Sequence, residues 1–254
     1  MARFFVPTEN IDLDKGEILI KGTDCHHLKN VLRKRPGDGI SLCGSDGSVY
    51  SCKILSLEKD AAVCGILDVS EGTSEPLVPV VLFQGVPKGD KMELIIRKCV
   101  ELGVSGIVPV LTEHTVVRFA DPGDRERRRE RWQKISAEAA KQSGRNAVPP
   151  VSEITGFREL FKKVPEGWLK VIPYENEETL SLKECLRGRI GDEGLAEDIP
   201  GIAFIIGPEG GFSEEEVKTA AAEGFVPVTL GKRILRTETA GLAVMASIRY
   251  ELGD

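Results

Sequence analysis

Histidine is scarce in this chain, with three among 254 residues, and the six cysteines form no C-x-x-C pair and, apart from Cys25 beside His26 and His27, no cluster with histidine. A zinc site or a disulfide framework requires such clustering, so the sequence argues against a bound metal and for reduced core thiols in a cytoplasmic protein. No apolar run approaches the roughly 20 residues that a membrane-spanning helix needs, which excludes a membrane partner. The amino terminus, Met1-Ala2-Arg3-Phe4-Phe5-Val6-Pro7, turns polar without the apolar core of a signal peptide. Positive charge is not in surplus either: the formal net charge is -6, which excludes a uniformly basic nucleic-acid binder but not a local basic face.

Apolar residues make up 41% of the chain, enough for one or two real cores. The first 72 residues read as β-rich, with strand-like runs at 40–43, 49–57 and 61–69. Asp46-Gly47 supplies the positive φ angles of a tight hairpin. A helix is predicted with Asp24 as its cap, running through His27, Leu28 and Leu32 to Arg33 and ended by Pro36-Gly37. Residues 71–76 have linker composition, and the pattern then changes. Buried strands are expected at 78–83, 107–111, 148–153, 169–172 and 202–206, with helices at 90–102 and 124–143 and an insertion at 188–200. Strands alternating with helices give an α/β domain with a parallel sheet over residues 77–254.

Two glycine-bearing loops stand out in that second part. Gly207-Pro208-Glu209-Gly210-Gly211 follows an all-aliphatic strand and precedes a helix start at Ser213, where Glu216 completes a capping box and Phe212 and Val217 staple the entry. Such a loop, at the carboxyl edge of a parallel sheet, lets a small molecule approach the main chain. No Gly-Lys-Ser/Thr follows, and three glutamates open the helix, so a phosphate loop is disfavoured against a less anionic ligand. The second loop, Leu230-Gly231-Lys232-Arg233-Ile234-Leu235-Arg236-Thr237-Glu238, leaves a strand, is expected to return Ile234 and Leu235 to the interior, and enters a helix capped by Thr237. Each loop alone is compatible with an ordinary turn, and Arg236 with Glu238 with an ion pair that ties one down.

Other candidates are weaker on residue chemistry. Lys88 and Lys91 sit in a near-miss of a nucleotide loop, since Met92 stands where a hydroxyl is needed, and are read as phosphate contacts of a polymeric substrate. The run from Arg125 to Arg131 alternates in sign, as solvated helices do. Arg33, Lys34 and Arg35 form a plausible phosphate-binding patch at the end of the first helix.

Taken in order, Arg3-Phe4-Phe5-Val6, His27 to Arg33, Lys88-Gly89-Asp90-Lys91-Met92-Glu93, Glu101-Leu102-Gly103-Val104, Gln142-Ser143-Gly144-Arg145 and the two loops span nearly the whole chain. The set resembles the bacterial 16S ribosomal RNA uracil-N3 methyltransferase family of the SPOUT class. The resemblance implies a PUA-like RNA-binding domain over residues 1–72 and a SPOUT α/β methyltransferase domain with a deep trefoil knot over residues 77–254. It implies S-adenosyl-L-methionine as cofactor, held by Tyr174, Glu175, Gly207, Pro208, Glu209, Gly210, Gly211, Leu230, Gly231, Ile234, Leu235, Arg236 and Thr237. An uncharged glycine loop beside a carboxylate suits its sulfonium charge. Catalysis falls to Arg236 and Glu238: Arg236 stabilises charge developing on the uracil, and Glu238 either orients Arg236 or takes the proton. RNA contact falls to Arg3, His27, Arg33, Lys88, Lys91, Gln142 and Arg145. The expected partners are 16S rRNA in the small ribosomal subunit and a second copy of the chain, which pairs through the alanine-rich final helix. A SPOUT enzyme acting on transfer RNA or a ribose 2′-hydroxyl, and a ribosome assembly factor without catalysis, are the competing readings.

Overall fold

The computed structural model describes residues 3–44, 47–190 and 199–253. It divides into two compact units, one of Met1–Glu75 with Ala140–Val148, the other of Pro76–Ala139 with Pro149–Asp254.

The first unit is built on a six-stranded sheet: β1 (Arg3–Val6), β2 (Ile11–Asp12), β3 (Glu17–Lys21), β4 (Gly39–Gly44), β5 (Ser48–Leu57) and β6 (Ala61–Glu71). Spatial order is β1-β4-β5-β6-β3-β2, with β1 and β4 parallel and the other pairs antiparallel. Period-two alternation positions the core: in β5, Tyr50, Cys52 and Ile54 point inward while Ser51, Lys53 and Leu55 face out. These inward residues meet Phe4, Ile18, Ile20, Leu28 and Leu42 in one cluster.

Gly47 takes the positive φ expected of the β4–β5 hairpin, whereas its neighbour Asp46 lies outside the described residues. The helix departs from its expected form. α1 (Gly22–His26) begins before Asp24, and the Asp24 carboxylate caps nothing; it accepts a 2.7 Å bond from Lys141 Nζ instead. α1 continues into a wider π turn over His27–Val31, and Arg33 in the left-handed region (φ 52°) ends it before Pro36 is reached.

The second unit carries a wholly parallel sheet in the order β12-β10-β11-β7-β8-β9. Its elements are β7 (Val80–Gly85), α2 (Lys91–Glu101), β8 (Gly106–Leu111), α3 (Pro122–Ser143), β9 (Thr155–Gly156), β10 (Leu169–Pro173), α4 (Leu182–Ile190), β11 (Ile202–Ile206), α5 (Glu214–Ala222), β12 (Val226–Val228) and α6 (Thr237–Leu252). Every residue of β11 is buried, as a central strand covered on both faces requires. The strand expected at 148–153 is reduced to one bridge between Val151 and Ile107, because the edge position is taken by β9. Of the expected insertion at 188–200, residues 191–198 lie outside the described residues.

All six cysteines are buried and none is in a disulfide. Burial pushes the Cys52 thiol up to about 11 and those of Cys64 and Cys99 up to about 12, which keeps them protonated and unreactive. No group of three or more potential metal ligands occurs among the described residues, and no described helix is long and apolar enough to cross a membrane.

Candidate functional site

A cavity of about 880 Å³ opens at the carboxyl edges of β10, β11 and β12. Strand β10 ends at Pro173 and delivers Tyr174 and Glu175; β11 ends at Ile206 and delivers Gly207, Pro208, Glu209 and Gly211. After β12 the chain adds Leu230, Gly231, Ile234, Leu235, Arg236 and Thr237. The cavity therefore gathers nearly all the expected cofactor residues on three loops.

The first loop leaves no room for side chains. A Cβ on Gly207 would lie 3.1 Å from the Gly211 carbonyl carbon, and one on Gly85, at the end of β7, would lie 2.6 Å from Pro208 Cδ. Gly211 adopts a positive φ (66°), and its amide closes a 3.0 Å turn onto the Pro208 carbonyl. The Glu175 carboxylate stands over Gly211, 3.1 Å from where a Cβ would sit. Gly210 does not line the cavity; it turns its carbonyl to His114 Nδ1 at 2.8 Å.

The helix after this loop starts as the sequence requires. Ser213 accepts a bond from the Glu216 amide, and the Glu216 carboxylate reaches back to the Ser213 amide. The buried Glu216 also accepts a 2.8 Å bond from the Glu113 amide, so one side chain fixes the start of α5 and the turn after β8. Phe212 and Val217 both pack into the core cluster built on Phe83, Ile172 and Phe225.

Two expectations about the second loop are corrected. Ile234 does not return to the interior: its side chain is 86% exposed at the cavity rim. Thr237 is not the cap of α6; Arg236 holds that position, and Thr237 is the first helical residue. Its hydroxyl instead donates to the Gly207 carbonyl at 2.6 Å and accepts from Gln84 Nε2 at 2.9 Å. Gln84, fully buried, also donates to the Gly85 carbonyl at 3.0 Å. This network ties the glycine loop, the end of β7 and the start of α6 together beneath the cavity. Sequence reasoning missed Gln84, although a lone amide near the end of an otherwise apolar strand was the available sign.

Charge is organised around Lys91. Its Nζ lies 2.8 Å from Glu209 Oε1 and 3.7 Å from Glu238 Oε2, and the Lys88 amide also donates to Glu209 at 3.1 Å. The Glu209 hydrogen bond raises the Lys91 ammonium above its ordinary range. Burial pushes Glu209 up, but the Lys91 bond and backbone amides outweigh it and hold the carboxyl below its usual range. Lys91, expected on a phosphate, is thus engaged with carboxylates at the cavity. Glu238 lies just behind the lining, its Oε2 buried and without a hydrogen bond. Arg236 lines the cavity, and no ion pair within 4.0 Å joins it to Glu238 or to any other described carboxylate.

The remaining expected RNA residues are dispersed. His27 is exposed, its ring edge-on to Phe4 at 5.7 Å, and Arg33, Lys88 and Gln142 are exposed as well. Arg3 opens β1. Arg145 is corrected: only 6% of its side chain is exposed, and its guanidinium pairs with Glu75, which also accepts from the Asn146 and Ala147 amides. That arginine organises the segment after α3 rather than meeting a phosphate.

Comparison with known proteins agrees with this architecture. Residues 73–249 match the model of an RNA methyltransferase domain, and residues 20–67 that of an RNA methyltransferase PUA domain. The chain is 34% identical to ribosomal RNA small subunit methyltransferase E of Bacillus subtilis, over 99% of this chain and 97% of that protein. It is 37% identical to the protein of the same name from Synechocystis, over 92% and 73%. The crystal structure of ribosomal RNA small subunit methyltransferase E from Neisseria gonorrhoeae, bound to S-adenosyl methionine, superposes with a TM-score of 0.82 at 37% identity, covering 98% of this chain and 97% of that one.

Proposed function

The chain belongs to the RNA methyltransferase family that includes ribosomal RNA small subunit methyltransferase E, and from that premise we propose that it methylates N3 of a specific uridine in 16S ribosomal RNA of the small subunit, with S-adenosyl-L-methionine as donor. The observation that carries this reading is a glycine-built cavity lined by Arg236, which has no ion pair among the described residues, with Glu238 beside Lys91 just behind the lining.

The cavity suits the cofactor. Its volume of about 880 Å³ falls within the roughly 300–1,000 Å³ typical of small-molecule sites. Backbone groups of the loops at Gly207, Gly211, Leu230 and Leu235 can read an adenine edge, and the carboxylates of Glu175 and Glu209 favour a cation. When bound, S-adenosyl-L-methionine supplies an electrophilic methyl group on a positive sulfonium.

The chain's own residues do the rest. N3 lies on the pairing edge of uracil, so the base enters unpaired or flipped. The N3–H bond breaks, its proton passes to the Glu238 carboxylate, and the electron pair left on N3 becomes the nucleophile. Arg236 stabilises the negative charge that spreads onto the uracil oxygens. Glu238 serves as acceptor rather than as a partner of Arg236, since the two form no ion pair within 4.0 Å.

Residues 1–72 act as the RNA-binding domain, with Arg3, His27 and Arg33 on phosphates alongside Lys88 and Gln142, and residues 77–254 carry the methyltransferase. A deep trefoil knot in this methyltransferase domain belongs to the same reading. Two copies pair through α6, where Leu242, Ala246 and the 80% exposed Tyr250 share one face.

The test is to incubate the protein and S-adenosyl-L-methionine with unmethylated small subunits and map modified nucleotides by mass spectrometry. The expected product is a single 3-methyluridine. Methylation of a ribose, or of transfer RNA alone, would replace this reading with a related one, and cofactor binding without any transfer would indicate an assembly factor.

A further inference from the structure

We propose that Lys91 is a positioning residue for the transfer step: it holds the carboxylate of Glu238 in place, and Glu209 is the anchor that holds Lys91. The inference deepens the proposed N3 methylation and rests on it.

A proton acceptor has to satisfy two demands that pull apart. It has to be ionised before the substrate arrives, which favours a cation nearby. It also has to keep a lone pair open, which disfavours a hydrogen bond from that cation. The Lys91 ammonium stands beside the Glu238 carboxylate, on its buried Oε2, without donating a hydrogen bond to it. At 3.7 Å from Glu238 Oε2, Nζ is within ion-pair range yet beyond hydrogen-bond range, and that oxygen has no hydrogen bond from any described residue.

Nζ is kept at this distance because its hydrogen bond goes elsewhere, to Glu209 Oε1 at 2.8 Å. Glu209 is itself fixed by the Lys88 amide, which donates to both of its oxygens. Arg236 adds a second positive charge near enough to oppose the Lys91 ammonium. Lys91 opens α2, Glu209 belongs to the loop after β11, and Glu238 lies in the first turn of α6. One ammonium thereby joins three separate parts of the second unit at the cavity.

The kinetic test uses Lys91→Met, which keeps the length and removes the charge, and Lys91→Arg, which restores it. With small subunits as substrate, Lys91→Met is expected to lower kcat about tenfold or more while KM for the subunit changes less than about threefold. Lys91→Arg recovers most of the loss. In a Glu238→Gln background, Lys91→Met has less than about a twofold further effect, because the carboxylate through which it acts is gone. Independent losses that multiply in the double variant, or a rise in KM with kcat retained, overturn the proposal, the second outcome in favour of a phosphate contact.

A second arm needs no turnover. Side-chain nitrogen NMR of Lys91 in the free protein is expected to show an ammonium that titrates above free lysine and falls in both Glu209→Gln and Glu238→Gln. A Lys91 signal indifferent to Glu238→Gln overturns the proposal. Absence of methyl transfer by the wild-type protein would instead overturn the methylation reading, while the NMR arm still decides whether Lys91 senses Glu238.

Discussion

Glu238 and Arg236 bring opposite charges to the proposed transfer: Arg236 has no ion pair among the described residues, and Glu238 faces Lys91 at 3.7 Å without a hydrogen bond on Oε2. Replacing Glu238 by Gln removes the proton acceptor while keeping the shape, and is expected to lower kcat by about 10²–10⁴, with cofactor affinity by calorimetry nearly unchanged. Arg236→Ala removes charge stabilisation and is expected to cost about 10²–10³ in kcat. Glu75 sets a different kind of sensitivity. Burial pushes its carboxyl up, but the Arg145 bond and charge and two backbone amides outweigh that and hold it below the ordinary value of 4.5. A carboxyl held low in the folded state contributes stability that is fully present above its unfolded value and is lost as pH falls through the depressed folded value. Urea unfolding is therefore expected to show a loss of stability below about pH 4.5 that is blunted in Arg145→Met, which at neutral pH costs about 1.5–3 kcal/mol.

The start of α5 shows why elements were more legible than contacts. Ser213 and Glu216 announce a capping box in sequence alone, and the structure contains it. Ser213→Ala is expected to cost about 1 kcal/mol. Glu216→Ala is expected to cost more, because Glu216 also holds the Glu113 amide, a contact 103 residues away that no local pattern reveals. A comparison of the two variants by thermal melting checks the order. The limits of β11 followed from an aliphatic run, which is a local property. The start of α1 did not, because Asp24 had a better partner in Lys141, and Thr237 failed as a cap because Gln84 and Gly207 claimed its hydroxyl. The glycine loops pointed to the cavity they line, whereas the buried amide beneath it and the pairing of Lys91 depended on distant segments brought together by the sheet.

For the whole molecule, the proposed pairing through α6 places the association face on the same helix that begins at the cavity. Ala246→Glu puts a charge in that face and is expected to convert a dimer to a monomer by sedimentation, with transfer activity falling in parallel. A wild-type protein that sediments as a monomer at all concentrations would contradict the pairing. The packing of Gly85 and Gly207 against the Pro208 turn reaches further. Because no side chain fits at either glycine without moving backbone, this part of the cavity is a cast that single substitutions cannot reshape while the loops stay in place. An inhibitor that rests on that backbone, rather than on the exposed Ile234 rim, would leave resistance few routes to arise.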